Sequence, residues 1–504
     1  MKNSLNKLFS LFLAAAMVFA VSACNDDDPA PSPDAPTVTA STSNPGNVTV
    51  DASITLNFDV TTPGGFATSS VSAQGGSATI TTDMEADATS GTIAVSFSAT
   101  AVGAGSVVLT VTDAEGSSDD ATAVLTIDAI ATTPVVTVRG NITENTLWTA
   151  DNIYVLDTRV TVEEGATLEI EPGTVIKGNT GQQAAATALL VARGAMIDAE
   201  GTPELPIIFT TIEDPIDPSD IAAGTYFSSE MSPENAGRWG GVIILGKAPI
   251  TAKNTSDVED LAELQIEGIP SSDPNGLYGG NEPTDNSGTL SYVSIRHGGT
   301  NIGAGNEING LTLGGVGSGT TINNIEVVAN ADDGIEFFGG DVSVENVVIW
   351  NSYDDSMDTD QDWNGTVSNF IIITPRTGSA FELDGPEGTR TRGENHMFTE
   401  GVIYGGDDID AIVDWDDDTN ATLTNLYFFG ITAGRIDSFG GNGAEASTNW
   451  ETDLADNADG YFDGVTGNII TYGVAVADKS YGPTAADFAW TWAASSGALA
   501  ELGL

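Results

Sequence analysis

The stretch TVSNFIII, residues 366–373, has close counterparts elsewhere in the chain. Each joins an asparagine to a run of aliphatic or aromatic residues, and the set is TINNIEVV (321–328), SVENVVIW (343–350), TVSNFIII and TLTNLYFF (422–429). The asparagines, Asn324, Asn346, Asn369 and Asn425, lie 22, 23 and 56 residues apart, and FTEGVIYG (398–405) supplies one more repeat within the longest interval. A period of about 22 to 28 residues is typical of one coil of a solenoid. We therefore predict stacked coils whose asparagines hydrogen-bond along the stack and whose apolar residues fill the interior.

The region upstream of these repeats has short aliphatic triplets punctuated by Gly or Pro, as in TVEEGATLEIEPGTVIKG and RWGGVIILGKAPI. These phrases resemble the opening coils of right-handed parallel β-helices of the pectin-lyase-like type. The resemblance covers residues 135–440 and implies an all-β fold. Residues 441–504 are predicted to cap this β-helix, because an open end would expose unpaired strand edges. Within this cap, Phe488 and Trp492 predict a short amphipathic helix over the last coil.

The N-terminus reads as a secretory signal peptide over residues 1–23, with two lysines before an apolar run too short to span a membrane. The run ends in VSAC, which resembles the lipobox of bacterial lipoproteins and implies acylation of Cys24, the sole cysteine. The acidic NDDD that follows resembles surface-export signals of some Gram-negative lipoproteins. These resemblances imply a lipid-anchored protein of the cell outer membrane, exposed at the cell surface, with the membrane as its partner through Cys24.

Two further segments precede the β-helix. Residues 24–36 are acidic and Pro-rich and predict a short stiff tether. Residues 37–130 alternate apolar and polar residues between Gly, Ser and Asp turns, which predicts an antiparallel β-sandwich. This sandwich resembles the Ig-like modules that act as spacers in bacterial surface proteins, and we expect no chemistry there.

The formal net charge is −57, from 72 acidic and 15 basic residues. Such a surface repels nucleic acid and anionic lipid, so neutral glycans, cations or another surface protein are the partners that we expect. The single cysteine excludes an intramolecular disulfide, and two histidines are too few for a three-histidine zinc site.

A second strand in each coil is rich in acids: IEFF (335–338), MDTD (357–360), FELD (381–384), VDWD (413–416) and RIDSF (435–439). If the first apolar residue of each strand points inward, the next residue points outward. Stacking then forms a column of five carboxylates, Glu336, Asp358, Glu382, Asp414 and Asp437, beside a shorter one of Asp360, Asp384 and Asp416. We consider three interpretations of this face: a solvated acidic surface, a cation site and a catalytic site.

The cation interpretation rests on DQDWNGTV, which from Asp360 follows the first half of a calcium-binding EF-hand loop. A complete EF-hand is excluded, because its twelfth position is Ile371 rather than a glutamate. A looser Ca²⁺ site is still compatible with the sequence, and its predicted ligands are Asp358, Asp360, Asp362, Asn364 and Asp384.

The catalytic interpretation comes from the resemblance, because pectin-lyase-like folds include glycosidases with paired carboxylates and lyases that combine Ca²⁺ with an Arg or Lys base. It implies Glu336, Asp358 and Glu382 as carboxylates and Arg376 and Arg392 as bases, with His396 in the same basic loop. The polygalacturonase signatures N-T-D, G-H-G and R-I-K are missing.

Three aromatic residues near the acidic strands, Trp350, Tyr353 and Trp363, are predicted to stack on sugars. The leading hypothesis is therefore a surface-anchored protein for binding or adhesion, to glycans and with the help of calcium. A polysaccharide-degrading glycoside hydrolase or lyase is the alternative.

Overall fold

The computed structural model describes residues 32–129, 133–253, 260–302, 308–373, 378–392, 396–406, 409, 411–415, 419–431, 436–437, 470–473, 476–479 and 481–504. The chain divides into two compact units, Met1–Thr132 and Thr133–Leu504. The predicted signal peptide and Cys24 lie outside the described residues. Among the helices that are described, none is long and apolar enough to cross a membrane.

The first unit is built from strands with alternating burial, as expected for sheets with one face in the core. Its strands are β1 (Thr37–Ala40), β2 (Asn47–Thr49), β3 (Ser53–Thr61), β4 (Phe66–Gln74), β5 (Gly76–Thr82), β6 (Ser90–Ala99), β7 (Gly103–Asp113) and β8 (Ser118–Asp128). They form two sheets, in the orders β1-β3-β6-β5 and β2-β8-β7-β4. Phe58 and Phe97 of one sheet and Leu109 and Ile127 of the other share one core. The assignment of this unit to the Ig-like group stays a prediction.

The second unit consists mainly of short strands. Its strands up to the middle of the unit are β9 (Val135–Val138), β10 (Thr146–Trp148), β11 (Ile153–Leu156), β12 (Val160–Val162), β13 (Thr167–Ile170), β14 (Val175–Gly178), β15 (Leu189–Val191), β16 (Met196–Glu200), β17 (Ile207–Thr211), β18 (Val242–Leu245), β19 (Ala252–Lys253), β20 (Asp260–Leu261), β21 (Leu264–Gln265), β22 (Leu277–Tyr278) and β23 (Gly288–Arg296). The remaining strands are β24 (Leu311–Gly314), β25 (Thr321–Val328), β26 (Ile335–Phe338), β27 (Val344–Trp350), β28 (Met357–Asp360), β29 (Thr366–Ile373), β30 (Phe381–Leu383), β31 (His396–Gly406), β32 (Val413–Trp415), β33 (Ala421–Ile431), β34 (Ile436–Asp437) and β35 (Ile470–Gly473). Among the described residues, three short α-helices accompany them: α1 (Pro218–Ala222), α2 (Trp492–Ser495) and α3 (Ala498–Glu501).

These strands form the right-handed parallel β-helix that the repeats predict. One sheet, called here the long sheet, runs β35-β33-β31-β29-β27-β25-β23-β17-β14-β11-β9, and a second, the short sheet, runs β12-β15-β18-β24-β26-β28-β30-β32-β34. Neighbouring strands in both are parallel, and each step along a sheet moves one coil along the chain. Aliphatic and aromatic side chains from both sheets fill a continuous interior, among them Ile349, Phe370 and Phe381.

The predicted asparagine ladder is confirmed for one rung, between Asn346 and Asn369, whereas the Asn324 amide donates within its own coil. Asn346, Asn369 and Asn425 have φ angles of 61°, 59° and 55°, in the left-handed region that asparagine tolerates better than most residues. The Asn369 side-chain amide donates to Asn346 at 2.6 Å, one coil away. In the additional repeat this place is taken by Glu400, with a φ of 56°, whose carboxylate accepts from the Asn425 amide at 2.6 Å.

Within the C-terminal segment, residues 481–504, Phe488 and Trp492 pack on the side of the middle coils, so the predicted position of their helix over the last coil is wrong. Phe488 packs against Val348, Ile371 and Ile373, which are outward residues of the long sheet. Because these outward positions are apolar, their burial under the segment is favourable by about 1.5–3 kcal/mol per side chain. The segment therefore lies along the side of the β-helix, and the rest of the predicted cap, up to residue 469, is outside the described residues.

The outer face of the short sheet has two halves of opposite chemistry. The apolar half consists of Leu190, Ile243, Leu245 and Phe338, and it is covered by Ile266, Ile269 and Tyr278. These covering residues belong to the insertion, residues 246–286, between β18 and β23. The acidic half consists of Glu336, Asp358, Asp360 and Glu382, on strands β26, β28 and β30. The insertion therefore covers one half of the face and stands at the border of the other.

Candidate cation and ligand site

The acidic half is built by strand register. Glu336 pairs with Asp358, Asp358 with Glu382, and Glu382 with Asp414 in successive parallel strands. Their inward neighbours, such as Ile335 and Met357, lie in the core, so alternation directs the carboxylates outward. The predicted column is thus confirmed from Glu336 to Asp414, and in backbone register Asp437 follows Asp414.

A second set of acids lies at the corner that precedes these strands. The Asp332-Asp333 pair recurs one coil later as Asp354-Asp355, 22 residues further on. The backbone N–H of Asp355 donates to the Asp333 carboxylate at 2.8 Å, and that of Ser379 donates to Asp355 at 2.5 Å. These side chains therefore tie successive coils together. Sequence reasoning missed them, although the recurrence of the pair at the coil period was the signal that could have identified them.

The corner and the column meet in one carboxylate cluster. Ligand atoms of Asp333, Glu336 and Asp358 all lie within 4.8 Å of one another. The three residues are only 7%, 7% and 9% exposed. Asp333 also belongs to a second group, with Asp332 and the exposed Asp354, that meets the same distance limit. The buried cluster is therefore continuous with a more accessible acidic rim.

Asn309 contacts the cluster from the coil below. Its side-chain amide donates to Glu336 and, at 3.3 Å, to Thr312. Asn309 is 2% exposed, and no donor among the described residues reaches its carbonyl oxygen Oδ1. The oxygen and nitrogen of such an amide are assigned from the hydrogen-bond network. If the oxygen and nitrogen of Asn309 exchange places, its carbonyl oxygen points at the carboxylates. A cation bound there would then have a further oxygen ligand.

The cluster carboxyls resist ionisation. Burial, together with the nearby carboxylates, raises the pKa of Asp333, Glu336 and Asp358 well above the ordinary range. Burial and a hydrogen bond with Asp355 raise the pKa of Glu382 to about 10. Burial, followed by the charges of Glu387 and Asp384, likewise raises the pKa of Asp360. Buried carboxyls this close together either retain protons or bind a cation.

The structure separates the five residues of the predicted calcium site. Asp358 lies in the cluster, whereas the Asp362 carboxylate accepts from the backbone N–H of Arg392 and from Thr391. The Asn364 amide donates to Asp341 at 3.1 Å. Asp384 neighbours Asp360 and contributes to its raised pKa. Among the described residues, the groups of three carboxylates within ligand distance include Asp358 but not Asp360, Asp362 or Asp384.

The basic residues of the catalytic alternative do not face the cluster as free bases. Arg392 pairs with Asp341 at 2.5 Å and donates to the Gly340 carbonyl at 2.9 Å. His396 is buried between Trp363 and Phe398, and burial lowers its pKa to about 3, so it is neutral rather than basic. Arg376 lies outside the described residues.

Two of the three aromatic residues predicted to bind sugars, Trp350 and Trp363, are engaged in packing. Trp363 is 1% exposed and stacks on Phe337 at 4.0 Å within the core, so its predicted ligand contact is wrong. Trp350 packs edge-to-face on Trp492 beneath the C-terminal segment. The Tyr353 hydroxyl donates to the Glu234 carbonyl at 2.9 Å. Sequence spacing could not separate these contacts from ligand contacts, because the partners come from distant segments.

The fold and this cluster together define a parallel β-helix protein with a sheltered carboxylate site on an outer sheet face. The chain belongs to the family described as pectate-lyase like beta helix domain, which matches residues 140–403. Among solved structures, the family 28 exopolygalacturonase of Yersinia enterocolitica is similar over 80% of each chain, with 12% identity and a TM-score of 0.22. A likeness at this level carries no argument about activity. No curated protein is significantly similar to the chain.

Proposed function

We propose that this chain is a surface-anchored binding protein that holds Ca²⁺ at Asp333, Glu336 and Asp358 and uses the ion to bind a neutral glycan. The observation that carries the proposal is the convergence of these carboxylates within 4.8 Å on an outer face of the β-helix. Calcium takes six to eight oxygen ligands, so three carboxylates would leave positions for water or sugar hydroxyls (about three or more).

The electrostatics support a cation. Three buried carboxylates that lie close together repel one another when ionised, because burial removes the water that would otherwise screen their charges. A divalent ion would offset this repulsion and lower the raised pKa values. The net charge of −57 disfavours acidic polymers, which is why the proposed ligand is a neutral glycan.

The proposed location rests on the N-terminal sequence. Acylation at Cys24 would anchor the chain in the outer membrane, and the tether of residues 24–36 would hold the folded part at the cell surface. Incorporation of a labelled fatty acid into the chain, lost in Cys24→Ala, tests this part. Surface exposure is tested by protease digestion of intact cells.

The calcium site is tested by thermal unfolding after chelation. We expect millimolar Ca²⁺ to raise the melting temperature of the chelated protein, because a ligand at about 100 times its Kd stabilises by about 2.7 kcal/mol. Asp358→Asn should remove most of this rise, whereas Glu169→Gln, at an exposed carboxylate of β13, should not. An unchanged melting temperature in the parent protein would contradict the proposal.

Glycan binding is tested separately on an array of neutral polysaccharides, with calcium and with chelator. We expect saturable binding that requires calcium and is lost in Asp358→Asn. Calcium binding without any glycan retained would reject the glycan part alone.

One observation favours the alternative of a polysaccharide-degrading enzyme. With its pKa raised to about 10, Glu382 is protonated at neutral pH and so could donate a proton to a leaving group. A release of new reducing ends from a glycan panel, abolished in Glu382→Gln with binding intact, would favour the enzyme over the binding protein.

A further inference from the structure

A cavity of about 530 Å³ lies apart from the carboxylate cluster, between the insertion and one corner of the β-helix. Its inner wall comes from the turns that follow β12, β15 and β18, which carry Glu164, Arg193 and Lys247. These strands are neighbours in the short sheet, so the three side chains come from successive coils. A volume of this size is typical of small-molecule sites.

The outer wall comes from the later part of the insertion, residues 263–282, and is fixed by its backbone to the corner that carries Lys247. Gly279 donates its N–H to the Gly246 carbonyl at 3.0 Å, and Glu282 donates to the Lys247 carbonyl at 2.9 Å. Gly280 has a φ of 157°, and a Cβ there would lie 2.6 Å from the Lys247 carbonyl oxygen. Glycine is thus required for this close approach, and the cavity is a built feature of the fold.

The charges in the cavity are arranged by depth. The side chains of Arg193 and Lys247 are 20% and 31% exposed, whereas their acidic partners Glu263 and Glu164 are 52% and 76% exposed. The cations therefore form the floor and the carboxylates form the rim. In a chain with only 15 basic residues, two in one cavity mark it as unlike the rest of the surface.

The floor has capacity for an anionic group. The Arg193 Nη1 donates to Glu263 and to the Gly279 carbonyl, both at 2.8 Å, which holds the guanidinium in place. The Lys247 ammonium lies 3.5 Å from Glu164, longer than the roughly 2.8 Å of a strong charged hydrogen bond. An anionic ligand on the floor could therefore lie closer to the Lys247 ammonium than Glu164 does.

A simple anion would have to pass the acidic rim, and a simple cation would meet the cationic floor. From this arrangement we propose that the cavity binds a zwitterion of the amino acid or short peptide class. The ligand carboxylate lies on Lys247 and Arg193, and its ammonium group faces Glu164, Glu263 and Glu282 at the rim. The side-chain amides of Asn275 and Asn281 supply further hydrogen bonds. This site is independent of the calcium proposal.

The test is calorimetric titration of the full chain with alanylalanine, its N-acetyl form, its C-terminal amide and free alanine, in the presence of chelator. We expect saturable binding of the dipeptide and at least about tenfold weaker binding of both capped forms, because each has lost one charge. Comparable affinity for alanine and the dipeptide would assign the site to free amino acids, and tighter binding of the dipeptide would assign it to peptides.

The variants separate the two ends of the ligand. Lys247→Gln should weaken binding of the dipeptide at least about tenfold. Glu164→Gln should weaken binding of the dipeptide but not binding of its N-acetyl form. Arg139→Gln, which alters an exposed cation paired with Asp157, is the matched control and should change nothing. The proposal is overturned if neither the dipeptide nor alanine saturates by about 10 mM, if the capped forms bind equally, or if folded Lys247→Gln binds like the parent.

Discussion

The outer face of the short sheet has the same backbone geometry in its apolar and acidic halves. The two halves differ in the free energy of burying their side chains. In the apolar half, Ile243 and Leu245 are buried under side chains of the insertion, and burial is itself favourable. In the acidic half, Glu336 and Asp358 are almost equally buried, yet burial there raises the pKa of each carboxyl and opposes folding in the charged state. Nearly equal burial in one sheet thus stabilises the fold on one side and, on the other, holds carboxyls whose ionisation opposes folding.

The largest expected effect comes from placing a charge in the apolar half. Ile243→Asp puts an unpaired carboxylate at a position that is 2% exposed, and we expect a loss of about 4 kcal/mol or more. Urea unfolding followed by tryptophan fluorescence measures it, because all eight tryptophans belong to the second unit. Ile243→Val, expected to cost about 1 kcal/mol, is the control. Equal losses in both variants would contradict the burial of position 243 in an apolar environment.

The reverse change should stabilise the acidic half. Glu336→Gln removes one of three close carboxylates, so the chelated variant should melt about 2–4 °C above the parent for each kcal/mol of repulsion relieved. In millimolar Ca²⁺ the order should invert, because the parent gains about 2.7 kcal/mol at 100 times Kd and the variant does not. Melting curves in chelator and in calcium are the measurement. A variant less stable than the parent in both conditions would show that Glu336 stabilises the fold without a cation.

The pH dependence has a definite sign. Glu382 has a folded pKa of about 10 against an ordinary 4.5, so the folded state retains a proton that the unfolded state has lost. The stability that Glu382 contributes to the folded state is complete below pH 4.5 and declines as the pH rises towards 10. Between pH 7 and 9 the chelated protein should lose up to about 1.4 kcal/mol per pH unit for each such proton.

This window avoids both histidines, whose folded pKa values of about 4 and about 3 make stability rise with pH below 6.5. Urea midpoints at pH 7, 8 and 9 in chelator are the measurement, and Glu382→Gln should reduce the slope by the share of one proton, because the other buried carboxyls keep theirs. Stability that stays constant or rises over this range would show that Glu382 is ionised in the folded protein.

The smallest effect is expected at the border of the two halves. The Tyr278 hydroxyl, on the insertion, donates to the side-chain carbonyl of Gln361 at 3.1 Å. Tyr278→Phe should cost about 1 kcal/mol, because it leaves a buried acceptor without its donor. Urea unfolding measures this loss, and Tyr226→Phe on another loop, whose hydroxyl bond is longer at 3.4 Å, is the control with little effect expected. If Tyr278→Phe also altered the calcium response, the insertion would be coupled to the acidic half.

Much of the fold and part of the site could be predicted, because both depend on local periods. The coil repeat around Asn346 and Asn369 placed the ladder, and alternation within each strand placed Glu336, Asp358 and Glu382 in one column. The prediction did not extend to Asp333, whose side chain acts across coils at a corner, where alternation does not apply. It was also wrong for Trp363, since an aromatic residue in a turn gives no sign of whether it folds back into the core.

By itself, the sequence determined the parallel β-helix, the ladder and the outward direction of the acids. Side chains alternate along each strand, and the strands repeat once per coil, so a single register between neighbouring coils fits the pattern. Tertiary structure alone decided which outward residues are covered. The insertion buries Ile243, and the C-terminal segment buries Val348, through contacts between residues far apart in the chain. Burial, and with it the raised pKa of the carboxyl cluster and the depth of the charged cavity, depends on these distant contacts, which no local pattern encodes.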